Sequence, residues 1–357
     1  MEQKKVRVLT LIGSLSEGGA QHMVYELHKY LNQTQFEPII LCYEGKCEAE
    51  LEKKVEARFC VHYLNVKGSI TPKTIQKVLK KIKELKPDII HAHLGGLVYG
   101  TIWALLGRKR KLLITAHTKP SGAFGKSEPL VRWLLRYKKR TTKVVAVSEE
   151  NQKLLTEYLS VDTNCAVVNN GIDIANFYRK KHDVFTYVNV ARQDEIKNQA
   201  AIIESFHQIH AQYPDTRLLL VGDGPCHEML LERTEELGLL DCVEFPGMVG
   251  NTEDYYAVAD VYVQSSHIEA MPLSLLEAMA AELPIVSTDV GGIRDIVKAN
   301  GILVPDGSIE DLTQAMLAMY QKSEEERAEM GKCALSLVQA YSAEQMAREY
   351  EKLYLSF

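Results

Sequence analysis

The sequence predicts an α/β fold in two domains, and three observations carry that prediction. Short apolar strands run repeatedly into loops that open helical patterns, as at Val6 to Ile12, Phe185 to Ala191 and Arg217 to Val221. The loops are rich in glycine or charge and leave the carboxyl ends of the strands, where open α/β sheets bind ligands. The chain has 357 residues, 46% of them hydrophobic, enough for two cores of ordinary size.

In chain order, Val6 to Ile12 reads as a strand, Gly13 to Ala20 as a loop and His22 to Leu31 as a helix. Gly18 and Gly19 let a bound group approach the helix N–H groups closely, or simply make a tight turn. There is no G-x-G-x-x-G, so this is not the dinucleotide fingerprint. His91 and His93 follow the apolar Ile89-Ile90. On an extended segment the two are expected to alternate faces, and with no other cluster of ligands no metal site is expected. Leu130, Trp133, Leu134 and Tyr137 fall at helical spacing beside Arg132, Arg136, Lys139 and Arg140. Such a helix lies on an anionic membrane, or turns its stripe to the core and a solvated basic face outward.

A linker is expected near Asn169 to Asp183. Phe185 to Ala191 is then a strand, and Asn198 opens a helix running to about Gln212. Between them, Arg192 and Lys197 place two cations at a strand end and a helix start. A lysine there opposes the helix macrodipole by a few tenths to about 1 kcal/mol. An anion clamped by the two residues would offset this, with Arg192 as a fork and Lys197 as a point charge. Asp194 and Glu195 neutralising them on the surface is the plainer account. Further on, Val243 to Gly247 is a strand, and Tyr255 to Ser265 is an apolar run ending in the β-rich Val261-Tyr262-Val263. Glu269 and Glu277, separated by seven residues, sit between this run and the short strand Pro284 to Thr288. With Pro272 at the first helical position, Glu269 lies on the loop and Glu277 about one and a half turns inside the helix. Both carboxylates can then reach one ligand from different sides.

These features together resemble the retaining glycosyltransferases of family 4. The resemblance rests on Gly18-Gly19-Ala20, His91-Ala92-His93, Thr115-Ala116-His117, Val147-Ser148-Glu149, Asn169-Asn170-Gly171-Ile172-Asp173, Arg192 with Lys197-Asn198, Gly222-Asp223-Gly224-Pro225, Glu269 with Glu277, and Gly291-Gly292. It covers nearly the full length. It implies a GT-B fold of two Rossmann-like domains facing each other across a cleft. The implied acceptor domain is 1–168, with a helix at about 341–357 packing back on it, and the implied donor domain is 169–340.

The resemblance also implies roles. Glu277 holds the ribose of a nucleotide-sugar donor, and Glu269 lies near the transferred sugar. Arg192 and Lys197 neutralise the leaving diphosphate, and His117 touches the sugar or the acceptor. Gly18 and Gly19 approach the phosphates, while Gly247, Met248 and Val249 read the base and Met271 and Leu273 line the donor. Two positions depart from the family pattern. Ala270-Met271-Pro272 stands where Gly-Phe-Gly is frequent, and Thr118 follows His117 where an acid is common. The implied reaction needs no metal or cofactor beyond the donor substrate, and a UDP-sugar is favoured. A lipid-linked or cell-surface glycan precursor is the expected acceptor, with a soluble small-molecule acceptor or a non-catalytic nucleotide-sugar-binding subunit as alternatives.

The net charge of −5 conceals a split. Residues 1–182 carry 31 Lys+Arg against 17 Asp+Glu, a charge of +14, and residues 183–357 carry 11 against 30, a charge of −19. The basic half predicts an anionic membrane surface as partner. No nucleic-acid motif accompanies it. Neither a transmembrane run nor a signal-peptide layout is found, since Met1-Glu2-Gln3-Lys4-Lys5 leads directly into a strand. A cytoplasmic protein, peripheral on the inner face of the membrane, is expected, with its seven scattered cysteines reduced.

Overall fold

The structure is a computed structural model that describes residues 4–66, 68, 70–160 and 165–357. Met1 to Gln3, the start of the N-terminal stretch read above, lie outside the described residues. The chain forms two compact units: Met1–Gly171 with Ala343–Phe357, and Ile172–Ser342. Each is a parallel sheet carrying helices, the Rossmann-like architecture of GT-B proteins.

In the first unit the strands are β1 (Val6–Ile12), β2 (Phe36–Cys42), β3 (Val61–Tyr63), β4 (Ile89–His93), β5 (Lys111–Ala116), β6 (Thr142–Ala146) and β7 (Cys165–Val167). Their order is β3-β2-β1-β4-β5-β6-β7. Val8 to Ile12 are all buried, as a strand covered by helices on both faces requires, so the segment reads as continuously apolar. The helix that follows is Gly19–Tyr30, beginning three residues before the reading from His22. The C-terminal helix Ala343–Leu355 packs against it and buries Tyr350 and Tyr354. Asn32 N–H donates to Glu351 Oε1 at 2.6 Å at one end of this contact.

His91 and His93 do not alternate faces. Side chains two apart on a strand point the same way, and the two rings lie side by side with centroids 4.0 Å apart.

The second unit contains β8 (Phe185–Val190), β9 (Thr216–Val221), β10 (Val243–Gly247), β11 (Val261–Gln264), β12 (Ile285–Thr288) and β13 (Gly301–Val304). Their order is β10-β9-β8-β11-β12-β13. The apolar run from Tyr255 ends in β11 as its β-rich residues predict, and it starts within the short helix Thr252–Ala257, which buries Tyr256 and Ala257. Apolar side chains suit either element when one face is covered, and length alone does not separate them. Pro272 is not the first helical residue. Its extended backbone makes it the N-cap, and the helix is Leu273–Ala280.

Sheet order reverses between β1 and β4 in the first unit and between β8 and β11 in the second. A crevice opens at the carboxyl ends of such neighbouring strands, because their connections leave in opposite directions. In the second unit, Gly222 turns the chain after β9 at φ +125°, and a Cβ there would sit 2.1 Å from the Ala191 carbonyl oxygen. Only glycine lets these two strand ends approach so closely.

Candidate active site

Two loops meet at the switch point of the second sheet. One leaves β8 and carries Arg192 and Lys197; the other leaves β11 and carries Glu269. Asp194 shapes the first by accepting from Lys197 N–H through its carbonyl at 3.0 Å and through Oδ1 at 3.2 Å. Asn198 then adopts a left-handed conformation at φ 50°, which asparagine tolerates better than most residues. The helix Gln199–His210 starts after it. Hydrogen bonds join the two loops. Ser265 Oγ donates to the carbonyls of Lys197 at 3.0 Å and Asn198 at 2.7 Å, and His267 N–H donates to the Ile196 carbonyl at 2.8 Å.

These contacts bring Lys197 Nζ to 2.6 Å from Glu269 Oε1. The Glu269 side chain is 8% exposed and that of Lys197 25%, so the ion pair is largely shielded from water. Gln264, the last residue of β11, adds a second donor to the same oxygen, Nε2 at 3.3 Å. Its amide has a defined orientation, because Tyr262 OH donates to Gln264 Oε1 at 2.9 Å. Sequence reasoning missed both Gln264 and Tyr262. The available signal was a polar pair two residues apart on one face of an otherwise apolar strand.

Glu277 lies on the helix Leu273–Ala280. Its Oε2 is 3.0 Å from Tyr256 OH, which is also 3.0 Å from the Ser274 carbonyl. Burial holds the Tyr256 phenol well above its ordinary pKa, so it stays protonated and acts as a donor. Arg192 is placed differently from Lys197. Its side chain is 70% exposed, with Nε 3.8 Å from Asp194 Oδ2. At the edge of the same sheet, Gly247 ends β10 at φ +74° and its carbonyl accepts from Gly222 N–H at 2.9 Å. Met248 is exposed and Val249 half-buried, whereas Met271 is buried and Leu273, the first helical residue, is half-buried.

The remaining candidates belong to the first unit. Gly18 is the N-cap of Gly19–Tyr30, its carbonyl accepting from the N–H groups of Gln21 and His22, and Gly19 is exposed. His117 lies one residue beyond β5 with Nε2 2.9 Å from His93 Nδ1. Burial pushes the His117 imidazole down to about 4, so it is neutral at physiological pH.

Chemically, the second unit offers an ammonium already satisfied by a carboxylate. An ammonium has three donors, so Lys197 can serve an incoming anionic oxygen while keeping Glu269 in place. Among the described residues no group of three His, Cys, Asp or Glu side chains is arranged to hold a metal ion.

Residues 17–176 match the model of glycosyltransferase family 4, and residues 172–336 match that of the glycosyl transferases group 1. An uncharacterized glycosyltransferase of Methanocaldococcus jannaschii is 26% identical over 67% of this chain and 63% of its own length. The UDP-Gal:alpha-D-GlcNAc-diphosphoundecaprenol alpha-1,3-galactosyltransferase of Escherichia coli is 25% identical over 84% of each chain. Among solved structures, Anabaena HepE in complex with UDP-glucose superposes with a TM-score of 0.83 at 20% identity, covering 98% of this chain and 100% of its own.

Proposed function

The chain belongs to the family 4 glycosyltransferases, and from that premise we propose that it moves a sugar from a UDP-sugar to a lipid-linked or cell-surface glycan precursor, with retention of anomeric configuration and without a metal. The observation that carries this reading is the Lys197–Glu269 contact at the switch point of the second sheet. It sets a cation and a carboxylate where an open α/β sheet takes its ligand. The donor class is supported by the UDP-glucose bound to HepE and by the UDP-Gal of the E. coli relative, and the acceptor class by that relative's diphosphoundecaprenol substrate.

In this mechanism Lys197 and Arg192 neutralise the charge that builds on the diphosphate as the glycosidic bond breaks, so they act most strongly in the transition state. The acceptor attacks from the face the diphosphate leaves. Glu277 holds the ribose, Glu269 orients beside the transferred sugar, and His117 meets the sugar or the acceptor. Gly18 and Gly19 admit the phosphates, while Gly247, Met248, Val249, Met271 and Leu273 line the nucleotide.

The two glutamates should separate in a binding experiment. Glu277→Ala removes a contact present in ground and transition states alike, so UDP affinity should fall by about tenfold or more. Glu269→Ala should lower turnover with little change in UDP affinity. Titration calorimetry that finds the same UDP affinity in wild type and Glu277→Ala would remove the ribose assignment. Product anomer analysis by NMR tests retention directly.

We also assign the membrane-facing surface to the helix Glu128–Tyr137. This helix buries Val131, Leu134 and Leu135 but leaves Leu130 at 45%, Trp133 at 44% and Tyr137 at 65% exposure. Leu134 therefore leaves the apolar stripe read from the sequence and joins the core. Arg132, Arg136, Lys139 and Arg140 are all exposed on this helix or just beyond it. Exposed aromatic rings beside cations suit the interface of an anionic bilayer, where each Lys or Arg contributes about 1 kcal/mol. Among the described residues no helix is long and apolar enough to cross a membrane.

In vesicle co-sedimentation the protein should pellet with anionic and not neutral lipid. Recovery should fall as salt screens the attraction over about 8 Å. A variant with Arg132, Arg136, Lys139 and Arg140 changed to alanine should pellet less. Equal recovery in the supernatant with both lipids at low salt would remove the membrane surface and favour a soluble acceptor.

A further inference from the structure

We propose that His93 is a positioning residue that ties down Nε2 of His117, so that His117 meets its substrate through Nδ1–H as a hydrogen-bond donor. The proposal rests on the reading above that His117 touches the sugar or the acceptor.

The register of β4 and β5 pairs His91 with Leu113 and His93 with Thr115. His91 is completely engaged. Its Nδ1 is 2.7 Å from Tyr354 OH and its Nε2 is 2.8 Å from Thr115 Oγ1, which in turn is 2.9 Å from Tyr350 OH. Both tyrosines come from the C-terminal helix Ala343–Leu355 and are fully buried with His91. His91 is thereby locked, and its ring packs beside that of His93. His93 is also fully buried, and its Nδ1 faces His117 Nε2 at 2.9 Å. The other nitrogen of His93, Nε2, is buried with no hydrogen-bond partner. Nδ1 of His117 has no hydrogen-bond partner among the described residues and is the atom left for a ligand.

Burial lowers the pKa of all three histidines, so each ring carries one proton. A single proton lies between His93 Nδ1 and His117 Nε2, and it has two placements. If His117 donates, the proton of His93 sits on Nε2 as a buried N–H without an acceptor. If His93 donates, its Nε2 is an unfilled lone pair instead. Among backbone groups a buried N–H is left without an acceptor more rarely than a carbonyl is left under-satisfied, and the same preference carried over to the imidazole favours donation from His93. His117 then accepts at Nε2 and carries its proton on Nδ1. A group that offers N–H and cannot accept there suits a sugar or acceptor oxygen with free lone pairs.

The test is long-range ¹H–¹⁵N correlation NMR of the ligand-free full-length protein, which reads the tautomer of each histidine. His117 should show the Nδ1–H pattern in the wild type. His93→Leu, which removes the partner, should shift His117 towards the Nε2–H tautomer and lower kcat by about tenfold, roughly the contribution of one hydrogen bond, with UDP affinity unchanged. His93→Asn keeps a donor near the Nδ1 position and should retain most of the turnover, which separates loss of the hydrogen bond from loss of packing. An Nε2–H pattern for His117 in the wild type, or a His117 tautomer unchanged in His93→Leu, overturns the proposal. The NMR result does not depend on catalysis. A wild-type Nδ1–H pattern together with full activity in His117→Ala would remove the role given to His117 and leave the tautomer assignment intact.

Discussion

Lys197→Ala is expected to lower turnover by on the order of 10²-fold or more, the loss seen when one donor to a developing negative charge is removed. Arg192→Ala should fall in the same range, but the structure separates the two variants in stability. Lys197 holds Glu269 at 2.6 Å, and the Glu269 side chain is only 8% exposed. Removing the ammonium leaves a shielded carboxylate with Gln264 as its remaining donor, and an uncompensated buried charge is destabilising. The Arg192 side chain is 70% exposed and 3.8 Å from Asp194, while its carbonyl, which accepts from Gln199 Nε2, is retained in the alanine variant. Thermal denaturation should therefore show a lower Tm for Lys197→Ala and little change for Arg192→Ala, while steady-state assays show both nearly inactive. A combined Lys197→Met and Glu269→Gln variant should recover the Tm without recovering activity. EDTA should leave the wild-type rate unchanged. Restoration of an EDTA-inhibited rate by magnesium or manganese would show that the reaction needs a metal.

Gly291→Ala should be the most damaging single methyl addition at the site. Gly291 has φ +59°, and a Cβ there would lie 1.9 Å from the Glu269 carbonyl oxygen. The left-handed backbone costs an alanine roughly 1–2 kcal/mol, and overpacking against a main-chain oxygen adds about 1–3 kcal/mol. The loop carrying Glu269 must move to relieve the contact, so the effect reaches the Lys197 pair as well. Chemical denaturation should show a loss on the order of 2–5 kcal/mol with an unchanged m-value, together with reduced turnover in the fraction that remains folded. Wild-type stability and activity in this variant would mean that the Glu269 loop is not held against Gly291.

The strand and helix alternation was legible in the sequence because it depends on local periodicity. Val6 to Ile12, Val243 to Gly247 and the helix after Asn198 each declare themselves within a few residues, through apolar runs, glycines and helix-start signals. Composition did not separate elements that share it. Tyr255 to Ala257 are apolar enough for a strand and fold as helix, because only the packing of Tyr256 beside Glu277 distinguishes the two. The expected alternation of His91 and His93 failed for a simpler reason, since the pleat repeats every two residues and puts both rings on one face.

By itself, then, the sequence determined the order of the elements, the loops on which charged and glycine residues fall, and the basic and acidic halves of the chain. All of these follow from interactions between near neighbours. Tertiary structure alone decided which of those residues meet. Lys197 and Glu269 are 72 residues apart and touch because β8 and β11 are adjacent at the reversal of strand order. His93 and His117 are 24 apart and touch because β4 pairs with β5. Trp133 and Tyr137 are surface residues, and Leu134 a core one, because only one side of Glu128–Tyr137 packs, against the helix Gly96–Leu105 and β6. Such contacts depend on sheet order and register, which arise from burial of every strand at once and are written in no single segment of the chain.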